Sequence, residues 1–209
     1  MSEAVPSVPM SRAVDAILAM LPRGPHPHVV VGITGPVGSG KSHLASLLTP
    51  CVLSSDDYLP DYEHIPEAHR DLPELADYRS LGEDLAHLRR GVARDIPVWS
   101  FQTHRRESSR RVDPHPLIVC EGIHALHDLV APSVDLRIFV EAPATVRWSR
   151  WEHLERTGVR GWGVEKARNF FHAVADPTFD RYAARYRAMA HLVVMNDAWR
   201  PASDLTARA

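Results

Sequence analysis

Cysteine is nearly absent from this 209-residue chain: Cys51 and Cys120 are the only two. Both sit in apolar runs that read as strands. Buried free thiols are therefore expected rather than a disulfide, and a reducing cytoplasm is the expected location. No run approaches the ~20 apolar residues needed to cross a bilayer. Residues 1–10 have neither the basic start nor the apolar centre of a secretory signal. An excess of charge of one sign is also lacking. A net charge of −2 gives no bulk attraction to nucleic acid or to an anionic membrane, so neither is expected as a partner. The 13 histidines form no cluster with zinc-ligand spacing beside the cysteines, and most read as surface residues. Internal repeats and low-complexity tracts are missing. With 44% hydrophobic residues, this length suffices for one soluble globular domain with a real core.

What is present centres on Gly35-Pro36-Val37-Gly38-Ser39-Gly40-Lys41-Ser42. It reads G-x-x-x-x-G-K-S, the phosphate-binding P-loop pattern. Before it, Val29, Val30, Val31, Ile33 and Thr34 make a short β-branched run that suits a buried parallel strand. After it, residues 42–48 suit a helix. A glycine-rich turn between strand and helix points successive N–H groups into one concavity, and the helix N-terminus adds partial positive charge. Lys41 is expected to reach the β- and γ-phosphates of a nucleotide, and the Ser42 hydroxyl to ligate Mg²⁺.

The remaining pattern alternates. A helix is expected over residues 12–21, ended by Pro22-Arg23-Gly24-Pro25, with a loose start before it. Strands are expected at 51–53, 117–120, 134–140 and 191–195, and helices at 80–90, 144–156, 164–175 and 179–190. Pro50 and Pro177 are expected to stop helices. Residues 58–77 carry three prolines and read as an irregular, functionally suspect segment. Residues 96–103 look like a strand with a hairpin partner at 110–113. Strands alternating with helices predict a doubly wound parallel α/β sheet. In such folds ligands sit at the carboxyl ends of the strands, where the P-loop, Asp56-Asp57 and Glu121 all fall.

Glu121 occupies the position of a metal-holding acid after an apolar strand; a solvated strand-end carboxylate is the alternative. Asp56 also ends a strand and is the candidate for accepting the proton of an acceptor hydroxyl, with a turn cap as the alternative. Asp57 points to the other side and reads as structural. Trp148, Trp151 and Trp162 crowd the region after residue 144 and read as core more than as a base-stacking surface.

Several ordered motifs over roughly residues 29–195 resemble the uridine kinase-like P-loop kinases, the group that includes phosphoribulokinase and bacterial-type pantothenate kinase. They are the P-loop; Leu53-Ser54-Ser55-Asp56-Asp57-Tyr58; Asp71-Leu72-Pro73-Glu74-Leu75-Ala76-Asp77; the stretch from Ile96-Pro97-Val98-Trp99 to His104-Arg105-Arg106; and the apolar strand into Glu121-Gly122. The resemblance implies one P-loop kinase domain over 1–209, with 1–24 as flank. It implies a small β-hairpin, an arginine-rich lid, ATP and Mg²⁺. It places the general base on Asp56 and acceptor contacts on Asp71, Trp99, His104 and Arg106. Arg150, Arg156 and Arg160 become candidates for a lid that clamps the transferring phosphate, with a solvated helix face as the alternative. The sequence departs from the pattern at Trp99, where a pyrimidine-binding tyrosine is usual, and at Leu59 and Leu154. The expected activity is ATP-dependent phosphorylation of a hydroxyl on a small nucleoside-like, sugar-like or pantothenate-like metabolite. The alternative is a nucleotide-dependent switch module, although no N-K-x-D guanine motif is present. Oligomeric state is left open, a homo-oligomer included.

Overall fold

The computed structural model describes residues 4–22 and 27–198; Arg23, Gly24 and Pro25 of the expected helix stop, and the tail from 199, lie outside the described residues. Six parallel strands form the central sheet in the order β1-β8-β7-β2-β6-β3. They are β1 (Ser7–Pro9), β2 (Val29–Thr34), β3 (Val52–Ser54), β6 (Leu117–Glu121), β7 (Leu136–Glu141) and β8 (Leu192–Met195). The inner strands read as continuous apolar runs because both of their faces are covered. Helices α1 (Ala13–Met20) and α2 (Lys41–Leu48) pack on one face, where Ile17, Leu44, Val31, Ile33 and Ile138 share a core. Helices α3 (Tyr78–Arg89) and α6 (Asp176–Met189) cover the other, where Leu81, Leu85, Val30, Ile118, Phe179 and Tyr186 meet. The expected doubly wound α/β sheet is thus present. Cys51 and Cys120 are free and buried within it.

Strand β2 lies between β6 and β7, so the chain leaves it in one direction along the sheet and later returns on its other side. That reversal opens a crevice at the carboxyl end of β2, where the P-loop begins. On the β6 side, Ile33 pairs with Glu121, and Ser54 of β3 pairs with Glu121 in turn. The register alone therefore puts the ends of three strands side by side.

Outside the sheet, β4 (Arg94–Ser100) and β5 (Arg105–Val112) form the antiparallel hairpin, with a shift in register between Val98 and Trp99. Residues 55–75 run as four short 3₁₀ turns, in keeping with their prolines. Asp77 caps α3 by accepting from the Ser80 N–H at 3.1 Å, an interaction typically worth ~1 kcal/mol.

Two expectations are corrected. Residues 7–9 are not loose: they form edge strand β1, parallel to β8. Pro177 does not stop a helix. Helix α5 (Val164–Phe170) runs through a π-helical turn, Phe171–Ala175, into α6. Proline lacks an N–H and its ring crowds the carbonyl four residues back. Here it falls in the first turn of α6, and the wider π turn before it accommodates the ring.

Candidate active site

The phosphate cradle follows from the sharp turn between β2 and α2. Gly40 has φ +101, and a Cβ there would lie 2.3 Å from Asn196 Nδ2. The same Asn196 Nδ2 donates to the Ser39 carbonyl at 2.7 Å, so the end of β8 braces the loop from behind. Lys41 Nζ donates to the Pro36 carbonyl at 3.0 Å. Burial pushes the Lys41 pKa down, opposed by the carboxylates of Glu121 and Asp56. Ser39 Oγ is buried in the loop with no hydrogen-bond partner.

Two more strand ends complete the crevice. Ser42 Oγ donates to Glu121 Oε1 at 3.1 Å. Burial, then the nearby Asp56, raise the Glu121 pKa to about 7 against the pull of Lys41. At Gly122, φ is +149 and a Cβ would lie 1.8 Å from Ser55 Oγ. Only glycine permits this approach, which sets the turn after β3 against the end of β6. Asp56 is thereby brought to Glu121 and Lys41. Its pKa is raised by burial, opposed by Lys41 and Arg160. Asp57 turns the opposite way: its Oδ1 accepts the Trp99 N–H at 3.1 Å, and its Oδ2 lies 4.0 Å from Arg110.

Beside Asp56 is a cavity whose lining runs from Val37 of the P-loop to Asp71 and Arg160. Its walls are aromatic: Tyr62, Trp99, Phe101, His104, Trp162 and Phe170. Trp99 is fixed by its indole N–H, which donates to the Pro60 carbonyl at 3.2 Å, and by an edge-on contact with Tyr62. His104 has φ +57 and stacks on Trp162 with centroids 4.7 Å apart. Burial, reinforced by Lys166, Arg70 and Arg160, lowers the His104 pKa to about 4, so the ring is neutral near pH 7. Asp71 accepts from Tyr62 Oη at 3.5 Å. Burial and the neighbouring Asp56 raise its pKa to about 7.

The arginines part company. Arg160 lies in the cavity lining, its Cζ 4.4 Å from the Phe101 ring centroid and 4.6 Å from that of Trp151. Arg150 instead donates to the Gly38 and Ser39 carbonyls at 2.8 and 3.1 Å, on the loop backbone. Arg156 faces outward and pairs with Glu152 at 3.0 Å. Arg106 is exposed on β5, with its backbone N–H donating to Asp61, and is not in the cavity lining. Arg147, buried, pairs with Asp176 and donates to the Ala142 carbonyl. Sequence reasoning did not single out Tyr62, Phe101 or Glu155, which line the same cavity. Phe101 lay inside the quoted hairpin motif; Glu155 was signalled by its place four residues after Trp151 on a helix.

Residues 63–198 match the model of the phosphoribulokinase/uridine kinase family. The chain belongs to that family. A uridine kinase of Clostridium botulinum is 29% identical over 180 residues, covering 79% of this chain and 87% of that protein. An Arabidopsis thaliana uridine/cytidine kinase is 27% identical over 189 residues, covering 83% of this chain and 39% of that one. The chain spans between 18% and 39% of the length of three of its curated relatives. Among solved structures, one named for a possible uridine kinase from Bacillus stearothermophilus shares the fold, with a TM-score of 0.57 at 19% identity, covering 88% of this chain and 96% of that one.

For this member of the family, the donor set fits a nucleotide with its metal. Ser42 and Glu121 offer hard oxygens at adjacent positions, and the partnerless Ser39 hydroxyl is a buried polar atom in need of an acceptor or donor. Among the described residues, no three His, Cys, Asp or Glu side chains are placed to hold a metal on their own. Magnesium typically takes one or two protein oxygens and draws the rest from phosphates and water, and Ser42 and Glu121 supply such oxygens.

Proposed function

We propose that this chain is an ATP-dependent kinase that phosphorylates a hydroxyl of a small nucleoside-like, sugar-like or pantothenate-like metabolite. One observation carries the reading: a pocket runs from the P-loop past Asp56 to Asp71 and Arg160. A kinase must hold its acceptor beside the phosphate cradle and keep water out. An aromatic cavity at that spot supports an acceptor site more directly than it supports a protein switch.

The placement of the side chains supports a role for each. Lys41 supplies positive charge at the β- and γ-phosphates. Ser42 and Glu121 would hold a magnesium ion accompanying the nucleotide, which would supply positive charge at the phosphate oxygens. Asp56 takes the proton of the acceptor hydroxyl as that oxygen bonds to the γ-phosphorus. The bond from phosphorus to the bridging oxygen breaks, and ADP leaves with its electron pair. A carboxylate whose surroundings raise its proton affinity is the better base for this step, and burial does so at Asp56. Arg160 faces the charge that spreads over the transferring group. Asp71 offers hydrogen bonds to a second polar group of the acceptor, while Trp99, Tyr62 and His104 enclose its body.

The test is ADP formation measured with ATP alone and with nucleosides, sugars and pantothenate-like alcohols in turn. The reading expects slow hydrolysis alone and a large stimulation by one acceptor class. Equal rates with and without every acceptor would refute it.

A further inference from the structure

Arg160 sits in a loop of glycines and an exposed valine, residues 157–163, that has no regular structure to hold it. Something must fix that loop if Arg160 is to be found at the cavity. The hairpin tip holds one side: Gly161 N–H donates to the Phe101 carbonyl at 3.3 Å, and Gln102 Nε2 donates to the Gly158 carbonyl.

The other side is held by Glu155, a carboxylate only 7% exposed near the end of α4 (Ala144–Arg156). Its Oε1 accepts the Trp151 indole N–H at 3.0 Å. Its Oε2 accepts the backbone N–H groups of Trp162 and Gly163 at 3.1 and 2.9 Å. Trp151 is one of the two rings that flank the Arg160 guanidinium. Glu155 thus orients a ring against Arg160 and ties down the far end of the loop that carries it. Its charge also acts on Arg160 favourably. A buried charge is costly unless its partners are well placed, and here three donors meet the Glu155 carboxylate.

We infer that Glu155 is a positioning residue for phosphoryl transfer, acting through Arg160 by anchoring the loop between α4 and α5. The inference rests on the reading of Arg160 given above. Glu155 borders the cavity, but all three of its hydrogen bonds go to Trp151 and to the loop, so it acts through Arg160 rather than on the reacting groups. Misplacing a catalytic group by about 1 Å is enough to cost on the order of 10²-fold in rate.

The test uses the full chain with Glu155→Gln, Arg160→Ala and the double variant. Glutamine keeps the shape but has one acceptor oxygen, so it cannot accept from both the indole and the loop N–H groups. Amide exchange at Trp162 and Gly163 should rise in Glu155→Gln while exchange in the central sheet stays protected. Glu155→Gln alone should lower kcat roughly 10- to 100-fold with little change in the KM for ATP. In the Arg160→Ala background it should lower kcat no further. Unchanged exchange at Trp162 and Gly163, or kcat losses that multiply in the double variant, would overturn the inference. If Glu155→Gln does not fold, Trp151→Phe replaces it. That change keeps a ring beside Arg160 and removes only the indole donor, so a smaller kcat loss, again absorbed by Arg160→Ala, is expected. If the wild-type chain turns over no acceptor at all, the kinase reading fails, while amide exchange still decides whether Glu155 anchors the loop.

Discussion

Lys41, Asp56, Asp71 and Glu121 crowd one crevice, and each modifies the others' charge. Lys41 is the lone ammonium among three carboxyl groups whose proton affinity is raised by burial. Lys41→Ala is expected to abolish transfer, because the point charge at the phosphates is lost; turnover of the variant with saturating ATP checks this. Asp71 yields a pH prediction. Its carboxyl holds a proton up to about pH 7 in the folded chain, against an ordinary value of 3.8. Between those two values the folded state binds more protons than the unfolded one, so this group makes stability fall as pH rises, with the loss complete above about pH 7. Asp71→Asn removes that loss. Relative to wild type, the variant should gain about 1–3 kcal/mol of stability between pH 4 and pH 8, as read by urea unfolding at both ends. A stability difference that does not change with pH would contradict the burial argument.

Elements meet at a few charged pins. Arg147 of α4 joins the connection after β7, the P-loop and α6 at once, through the carbonyls of Ala142 and Val37 and the carboxylate of Asp176, and its guanidinium lies 5.3 Å from the Phe171 ring. Arg147→Ala would leave Asp176 without its cation in a largely buried place. The expected cost is about 2–4 kcal/mol, measurable by denaturant unfolding, with a loss near zero counting against a structural role. The hairpin makes a different kind of contact. His104 meets Trp162 across the gap between hairpin and lid, and that stack forms part of the cavity wall. His104→Ala should therefore raise the acceptor KM roughly tenfold while leaving ATP binding unchanged. Steady-state kinetics with each substrate varied in turn separates the two effects.

For the whole molecule, what was legible in the sequence was what local chemistry dictates. The P-loop announces itself because only glycines tolerate its turns, and four of the sheet strands are apolar runs bounded by turn residues. Strand β1 was not legible: Ser7-Val8-Pro9 is too short for any periodicity, and only its long-range pairing with β8 makes it a strand. The unbroken passage from α5 to α6 was hidden by Pro177, whose usual effect is removed by the π turn before it. The arginines show the same limit. Arg150, Arg156 and Arg160 look equivalent in sequence, yet backbone carbonyls claim the first, a surface glutamate the second, and two aromatic rings the third. The cavity joins residues from the P-loop, the 3₁₀ segment, the hairpin and the loop between α4 and α5, so no single stretch of sequence displays it. The proposed mechanism puts the base on Asp56, not on its neighbour. Steady-state kinetics of Asp56→Asn and Asp57→Asn, with ATP titrations beside them, test it most directly. General-base assistance is typically worth ~10² to 10⁴ in rate. Asp56→Asn should lose turnover by about that factor with ATP affinity nearly intact, and Asp57→Asn should lose far less. A dead Asp57→Asn beside a nearly normal Asp56→Asn would put the base on Asp57 instead.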